Sequence, residues 1–168
     1  MNQVSLDFNW EDELPAIAFE APYQYMILSE QDRSTIAMLE EQSCIIRHEQ
    51  QTDYFIKALL IQKLVDEEMD LQYQVWVSIS EENFRKFTAL DPGKAHDEQY
   101  FGWLASQIPG YDKTLNLKTV VLYEGENHWP VIIPKENDDS FTRDFYEGII
   151  YDDAVARVEA HIFGNPGE

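Results

Sequence analysis

Residues 54–65 and 73–79 constrain this chain more than any other stretch, because together they read as one long β-hairpin. Tyr73, Val75, Val77 and Ile79 alternate with Gln72, Gln74, Trp76 and Ser78. A period of two sends one set of side chains to a core and the other outward, which is strand behaviour. Residues 54–65 are rich in Ile and Leu, with Lys57 and Lys63 both at odd positions. Between the two runs lies Asp66-Glu67-Glu68-Met69-Asp70, an acidic connection. Two strands of this length expose an apolar face that must be covered, so the rest of the chain has to pack around them.

The remaining elements follow from local signals. Ser29-Glu30-Gln31-Asp32 is a capping box with Asp in place of the usual Glu, opening a short helix with Ile36 and Leu39 on its apolar side and an end near Gln42. Cys44-Ile45-Ile46 reads as a short strand. Ser80 opens a helix with Glu81 and Glu82 in its first turn, where the dipole favours anions, and Asp91-Pro92-Gly93 stops it. Residues 100–108 form a strand closed by Pro109-Gly110. Residues 115–123 alternate, Glu124-Gly125-Glu126-Asn127 has turn chemistry, and 129–133 return, which is the best hairpin signal in the chain. Pro130 and Pro134 suggest that this return strand is an edge or is irregular. Asp138, Asp139 and Ser140 offer caps for a helix ended by Gly148. Asp152 offers one for a last helix with the stripe Ala154, Val155, Val158 and Ile162. Strands separated mostly by turns and short helices imply an α+β fold. The expected architecture is a mainly antiparallel sheet of about five or six strands with three or four short helices packed at one side. One domain over residues 1–168 is the default at this length. Residues 1–28, with Glu11-Asp12-Glu13 and two prolines, read as an extended acidic lead-in, and 29–164 as the core.

Charge bears on partners rather than on fold. Thirty-two acidic residues against twelve basic ones give −20, and the first basic residue is Arg33. Nine Phe, nine Tyr and four Trp separate this acidity from that of a disordered chain, which has few aromatics. A field of this sign argues against nucleic acid and against an anionic membrane, and it suits a basic protein partner. No apolar run approaches the roughly 20 residues of a membrane span. Residues 1–12 have no basic n-region and no apolar h-region. With a single cysteine, Cys44, the chain reads as cytoplasmic.

Motifs that carry chemistry are sparse. His48, His96, His128 and His161 are scattered, with no His-x-x-x-His pair, and Cys-x-x-Cys is missing, so no zinc site is expected. Neither phosphate-cradling glycine pattern occurs, and no cofactor is expected. Among the adjacent carboxylates, Glu67-Glu68, Glu81-Glu82, Asp138-Asp139 and Asp152-Asp153, three pairs fall at helix starts, where capping accounts for them. Cys44 reads as a buried strand thiol, because Arg47 falls on the opposite face. Trp76 and Trp103 read as core, whereas Tyr54, Tyr111 and Trp129 stand beside turns or edges.

An ordered set of segments resembles a known family. It runs from Ser29-Glu30-Gln31-Asp32 through Cys44-Ile45-Ile46 and Tyr54-Phe55-Ile56-Lys57 to Val75-Trp76-Val77-Ser78-Ile79-Ser80-Glu81-Glu82-Asn83-Phe84. Tyr100-Phe101-Gly102-Trp103-Leu104, Pro109-Gly110-Tyr111, Thr114-Leu115-Asn116-Leu117-Lys118-Thr119 and Glu147-Gly148-Ile149 complete it. Over roughly residues 20–160 this resembles the bacterial domain-of-unknown-function family 2199. The resemblance implies a compact bacterial α+β domain and carries over no activity and no catalytic residue. Two departures stand out: many relatives have a Cys-x-x-Cys segment where this chain has the cysteine-free residues 6–14, and a histidine-bearing stretch where it has Glu136-Asn137-Asp138-Asp139-Ser140.

The leading functional expectation is therefore a binding protein and not an enzyme: an acidic immunity-type protein that neutralises a basic, cytoplasm-acting toxin domain. The expected interface is Asp66, Glu67, Glu68 and Asp70 with Glu124 and Glu126, anchored by Tyr54 and Trp129, since an aromatic anchor inside a charged rim concentrates binding energy. An enzyme using Trp103, Tyr111, Asn116 and Lys118 is one alternative. A housekeeping binding or scaffold domain whose acidity serves solubility is the other.

Overall fold

The computed structural model describes residues 13–91, 93–125 and 129–164. The long hairpin is its centre. Strands β4 (Thr52–Lys63) and β5 (Asp70–Ile79) pair antiparallel from Tyr54↔Ile79 to Lys63↔Asp70. The register puts Ile56, Ala58 and Leu60 with Val77, Val75 and Tyr73 on one face, all buried in the main core. Alternation in β5 therefore selects its inner face as the sequence implies.

Beyond the hairpin the sheet closes on itself. β6 (His96–Leu104), β7 (Lys118–Gly125) and β8 (Val131–Pro134) follow as an antiparallel meander, and β8 returns to β4 in parallel at Leu59↔Val131. The result is a five-stranded barrel, β4-β5-β6-β7-β8, filled by the main core. Three further strands are attached to it. β2 (Ala37–Leu39) and β3 (Ser43–Arg47) extend from the first half of β4, and β1 (Ile17–Ala18) runs parallel to β5 at Tyr73 and Gln74.

This refines the open antiparallel sheet expected from sequence. The α+β class and the antiparallel majority stand, but the sheet has eight strands among the described residues and is closed by a parallel seam. Pro130 and Pro134 do not make β8 an edge. Pro130 needs no donor there, because its carbonyl accepts from Leu59 N at 2.9 Å and supplies the seam. Helices also lie on more than one side. The short α1 (Tyr23–Met26) and α2 (Glu30–Thr35) sit with a second, smaller core of Cys44, Ile46, Phe55, Trp76 and Ala105 outside the barrel. α3 (Glu81–Thr88) covers one barrel end through Phe84 and Phe87, while α4 (Ser140–Glu147) and α5 (Tyr151–Phe163) occupy the other.

Caps explain where these helices begin. Ser29, Ser80 and Asp139 each accept the backbone N–H three residues on. The stripe expected to run to Gln42 stops at Thr35, and residues 37–39 become β2. The part of the lead-in that is described is not merely laid over the domain. Phe19 N donates to Gln74 O at 3.0 Å, and Trp76 Nε1 donates to Phe19 O at 2.8 Å, so the entering chain is stitched to β5.

Candidate functional site

The residues expected at an interface fall at the two opposite ends of the barrel. Tyr54, Glu124 and Trp129 stand at the α3 end. Asp66, Glu67, Glu68 and Asp70 stand at the α5 end, with the length of β4 between them. Nine residues of strand put roughly 30 Å between Tyr54 and the acidic turn. Glu126 lies outside the described residues.

At the α3 end the aromatic groups are already engaged. Tyr54 is half-buried, with its ring 5.1 Å from that of Phe84. Trp129 faces Lys57, whose Nζ sits 5.7 Å from the Trp129 ring and 5.6 Å from Trp76. Lys57 lies half-buried on the face of β4 opposite the barrel core, and cation–π contact on both sides favours a lysine there. Glu124 is exposed and pairs across the strands with Asp97, a like-charge pair that costs stability on its own.

The α5 end is more concentrated. The turn between β4 and β5 is tied to the start of α5, since Val65 N donates to Ile149 O and Tyr151 N donates to Asp66 Oδ1, both at close range (2.9 and 2.8 Å). This contact brings Asp152 and Asp153 of α5 and Glu147 of α4 beside the turn. Asp66, Glu67, Glu68, Asp70, Glu147, Asp152 and Asp153 are all exposed, and among the described residues none of them joins a salt bridge. The last three belong to this corner although the sequence singled out only the turn. Asp152 also loses its expected role: Asp66, 85 residues away, caps α5 in its place.

Behind the acidic corner lies a polar cluster that sequence reasoning did not assemble. Tyr111 donates its hydroxyl proton to Asp144 Oδ2 at 2.6 Å. Arg157 Nη2 stands 3.6 Å from the same oxygen, its Nη1 donates to Tyr73 Oη at 3.1 Å, and its guanidinium covers the Tyr111 ring at 5.0 Å. Burial raises the pKa of Tyr111, and its bond to the Asp144 carboxylate adds to the shift. Tyr73 is raised as well, again by burial first. In this cluster Tyr111 acts as a donor, to Asp144, and Tyr73 as an acceptor, from Arg157. The loop that carries Tyr111 is fixed by its own polar groups: Thr114 Oγ1 donates to Ser106 O and accepts from Ile108 N, and Gln107 Nε2 donates to Tyr111 O at 2.9 Å.

Three residues of the enzymatic alternative, Trp103, Asn116 and Lys118, are neighbours, while Tyr111 belongs to the Arg157 cluster. Trp103 and Lys118 face each other across β6 and β7, Asn116 turns the chain with φ of 68°, and Tyr111 meets its carboxylate beside Arg157. Cys44 is fully buried, and burial pushes its thiol up to about 12. Among the described residues no three His, Cys, Asp or Glu side chains gather as a metal site, and no helix is long and apolar enough to cross a membrane.

A family model described as an uncharacterized protein conserved in bacteria, DUF2199, matches residues 8–149. The chain belongs to this family. The match spans the barrel, α1 to α4 and the seam, and ends at Ile149, just before the helix that carries Arg157. No curated protein and no solved structure matches the chain. Within DUF2199 the stretch 136–140 serves this chain as a helix start, since Asp139 caps α4 and Thr142 Oγ1 closes back on Asn137 O.

Proposed function

We propose that this DUF2199 domain is a bacterial immunity-type protein that binds a basic, cytoplasm-acting toxin domain through the acidic corner at the α5 end. The observation that carries the reading is the set of seven exposed carboxylates from the β4–β5 turn, α4 and α5, none ion-paired among the described residues. Like charges crowded on one corner repel one another, and a complementary basic surface relieves that repulsion. The field of a −20 molecule adds rate to such an encounter, because it draws in a cationic partner before contact. Asp66 is fixed by its helix-capping bond, which holds the turn and gives Glu67 and Glu68 a defined platform. The site works by steering and by shape, without bond-making chemistry, and the partner acts in the same compartment, the cytoplasm.

The test is co-expression with the product of the neighbouring gene, reading growth rescue and complex formation at low and high salt. The double variant Glu67→Lys/Glu68→Lys is the control. The expected result is rescue by the unaltered chain, with complex affinity falling steeply with salt and at least tenfold in the double variant. A complex whose affinity and salt dependence are the same in the double variant excludes this corner. Failure to rescue and to bind any basic partner excludes the immunity reading.

A further inference from the structure

A cavity of about 470 Å³ opens beside Arg157, between α5 and the Pro109–Gly110 turn. That volume is in the range of small-molecule sites. Ile17, Pro109, Ala156 and Ala160 give it apolar walls. On α5 the two alanines sit four residues apart on one face, and their small side chains leave the space open.

The polar groups at this cavity are unbalanced toward donors. Tyr73 is 2% exposed, and its hydroxyl oxygen accepts from Arg157 Nη1. An arginine can only donate, so the hydroxyl keeps its own proton to give, and no acceptor takes it among the described residues. Arg157 carries five N–H donors. Asp144 is 3.6 Å from Nη2, an ion pair longer than a hydrogen bond, and its Oδ2 already takes the Tyr111 proton. Tyr73 and Arg157 thus present adjacent donors to a space whose other walls are mostly hydrocarbon, with His161 the remaining polar side chain that lines it.

We infer that this cavity is a binding site for a small carboxylic acid with a hydrocarbon body. The two carboxylate oxygens match the Tyr73 hydroxyl and the Arg157 guanidinium, both of which line the space, and the body lies along Ile17, Ala156 and Ala160. Arg157 pairs well with planar carboxylates. A doubly charged phosphate fits less well, because Asp144 already offsets Arg157 and the molecule around it is strongly negative. The inference is independent of the toxin-binding proposal, since it uses none of the exposed corner carboxylates.

The test uses the full chain and octanoate as the probe, with octanol and inorganic phosphate as comparisons, read by calorimetry and by amide NMR shifts on α5. Saturable octanoate binding at about 1 mM or tighter is expected, with octanol at least tenfold weaker. Tyr73→Phe should weaken octanoate several-fold and leave octanol unchanged. Ala160→Leu fills the cavity from a good helix position and should abolish binding of both while the chain stays folded. Equal binding of octanoate and octanol, preference for phosphate, unaltered octanoate binding in Ala160→Leu, or no saturable octanoate binding would each overturn the inference.

Discussion

Gly148 shows how much a single residue can decide. It ends α4 with φ of 90°, and a Cβ built there would stand 2.5 Å from Val65 Cγ1. Both the dihedral and the contact exclude a side chain, because Val65 sits in the turn that Asp66 fastens to α5. Gly148→Ala should cost about 2 kcal/mol or more, seen as a lower urea midpoint with an unchanged slope. At the same scale, the tyrosines make the fold sensitive to alkali. Burial raises Tyr73, Tyr100, Tyr111, Tyr123 and Tyr146 above the ordinary phenol value of 10. The unfolded chain therefore loses these protons first as pH rises. Their contribution to stability is complete below pH 10 and is lost as pH climbs from there toward the folded-state values. Cys44 is raised to about 12 as well, so urea midpoints should begin to fall near pH 9, where the unfolded thiol titrates, and fall more steeply above about pH 10, where the tyrosines join it. Tyr111→Phe should reduce that fall, since it removes one of the raised groups.

Among the elements, α5 depends most on a distant residue. Its N-cap residue, Ile150, has no side chain that can accept, and Asp66 supplies the acceptor from the β4–β5 turn. Losing such a cap costs about 1 kcal/mol. Asp66→Ala should raise amide exchange in the first turn of α5 while leaving the barrel strands protected, and Asp66→Asn, which keeps an acceptor, should restore most of the protection. A sequence cannot display this cap, because the two partners are joined only by the fold. For the same reason Asp152, correctly placed near a helix start, was the wrong candidate. Local signals served well where the physics is local: the hairpin turns, the Ser29, Ser80 and Asp139 caps, and the inward alternation of β5 were all legible. The barrel seam was not, because Leu59 meeting Pro130 and Val131 is a pairing between residues some 70 positions apart with no pattern of its own. The Arg157 cluster left only a faint trace, the single Lys or Arg of the last helix. Tyr73 gave none, since its alternation reads as core and its ring is indeed buried.

For the molecule as a whole, charge acts as a uniform load on a fold held by its barrel. With −20 spread over 168 residues and three Lys or Arg salt bridges among the described residues, carboxylates mostly repel other carboxylates. Compaction brings them closer than they stand in the unfolded chain, so folding is opposed by self-repulsion. Added salt shortens the screening length from about 10 Å at 0.1 M to about 3 Å at 1 M and should relieve that opposition. Sodium chloride should therefore raise the melting temperature of this protein, whereas a fold stabilised by ion pairs would lose stability. The acidic corner should account for a disproportionate part of the gain, because its carboxylates are adjacent and unpaired. Each Glu→Lys reversal shifts the charge by two, so Glu67→Lys/Glu68→Lys brings the molecule to −16. That variant should melt higher than the unaltered chain at low salt and gain less on salt addition. Thermal scans across a salt series measure both quantities. If reversing these two residues leaves the salt gain untouched, the repulsion is distributed over the surface, and the corner loses its standing as the place where a basic partner would be held most tightly.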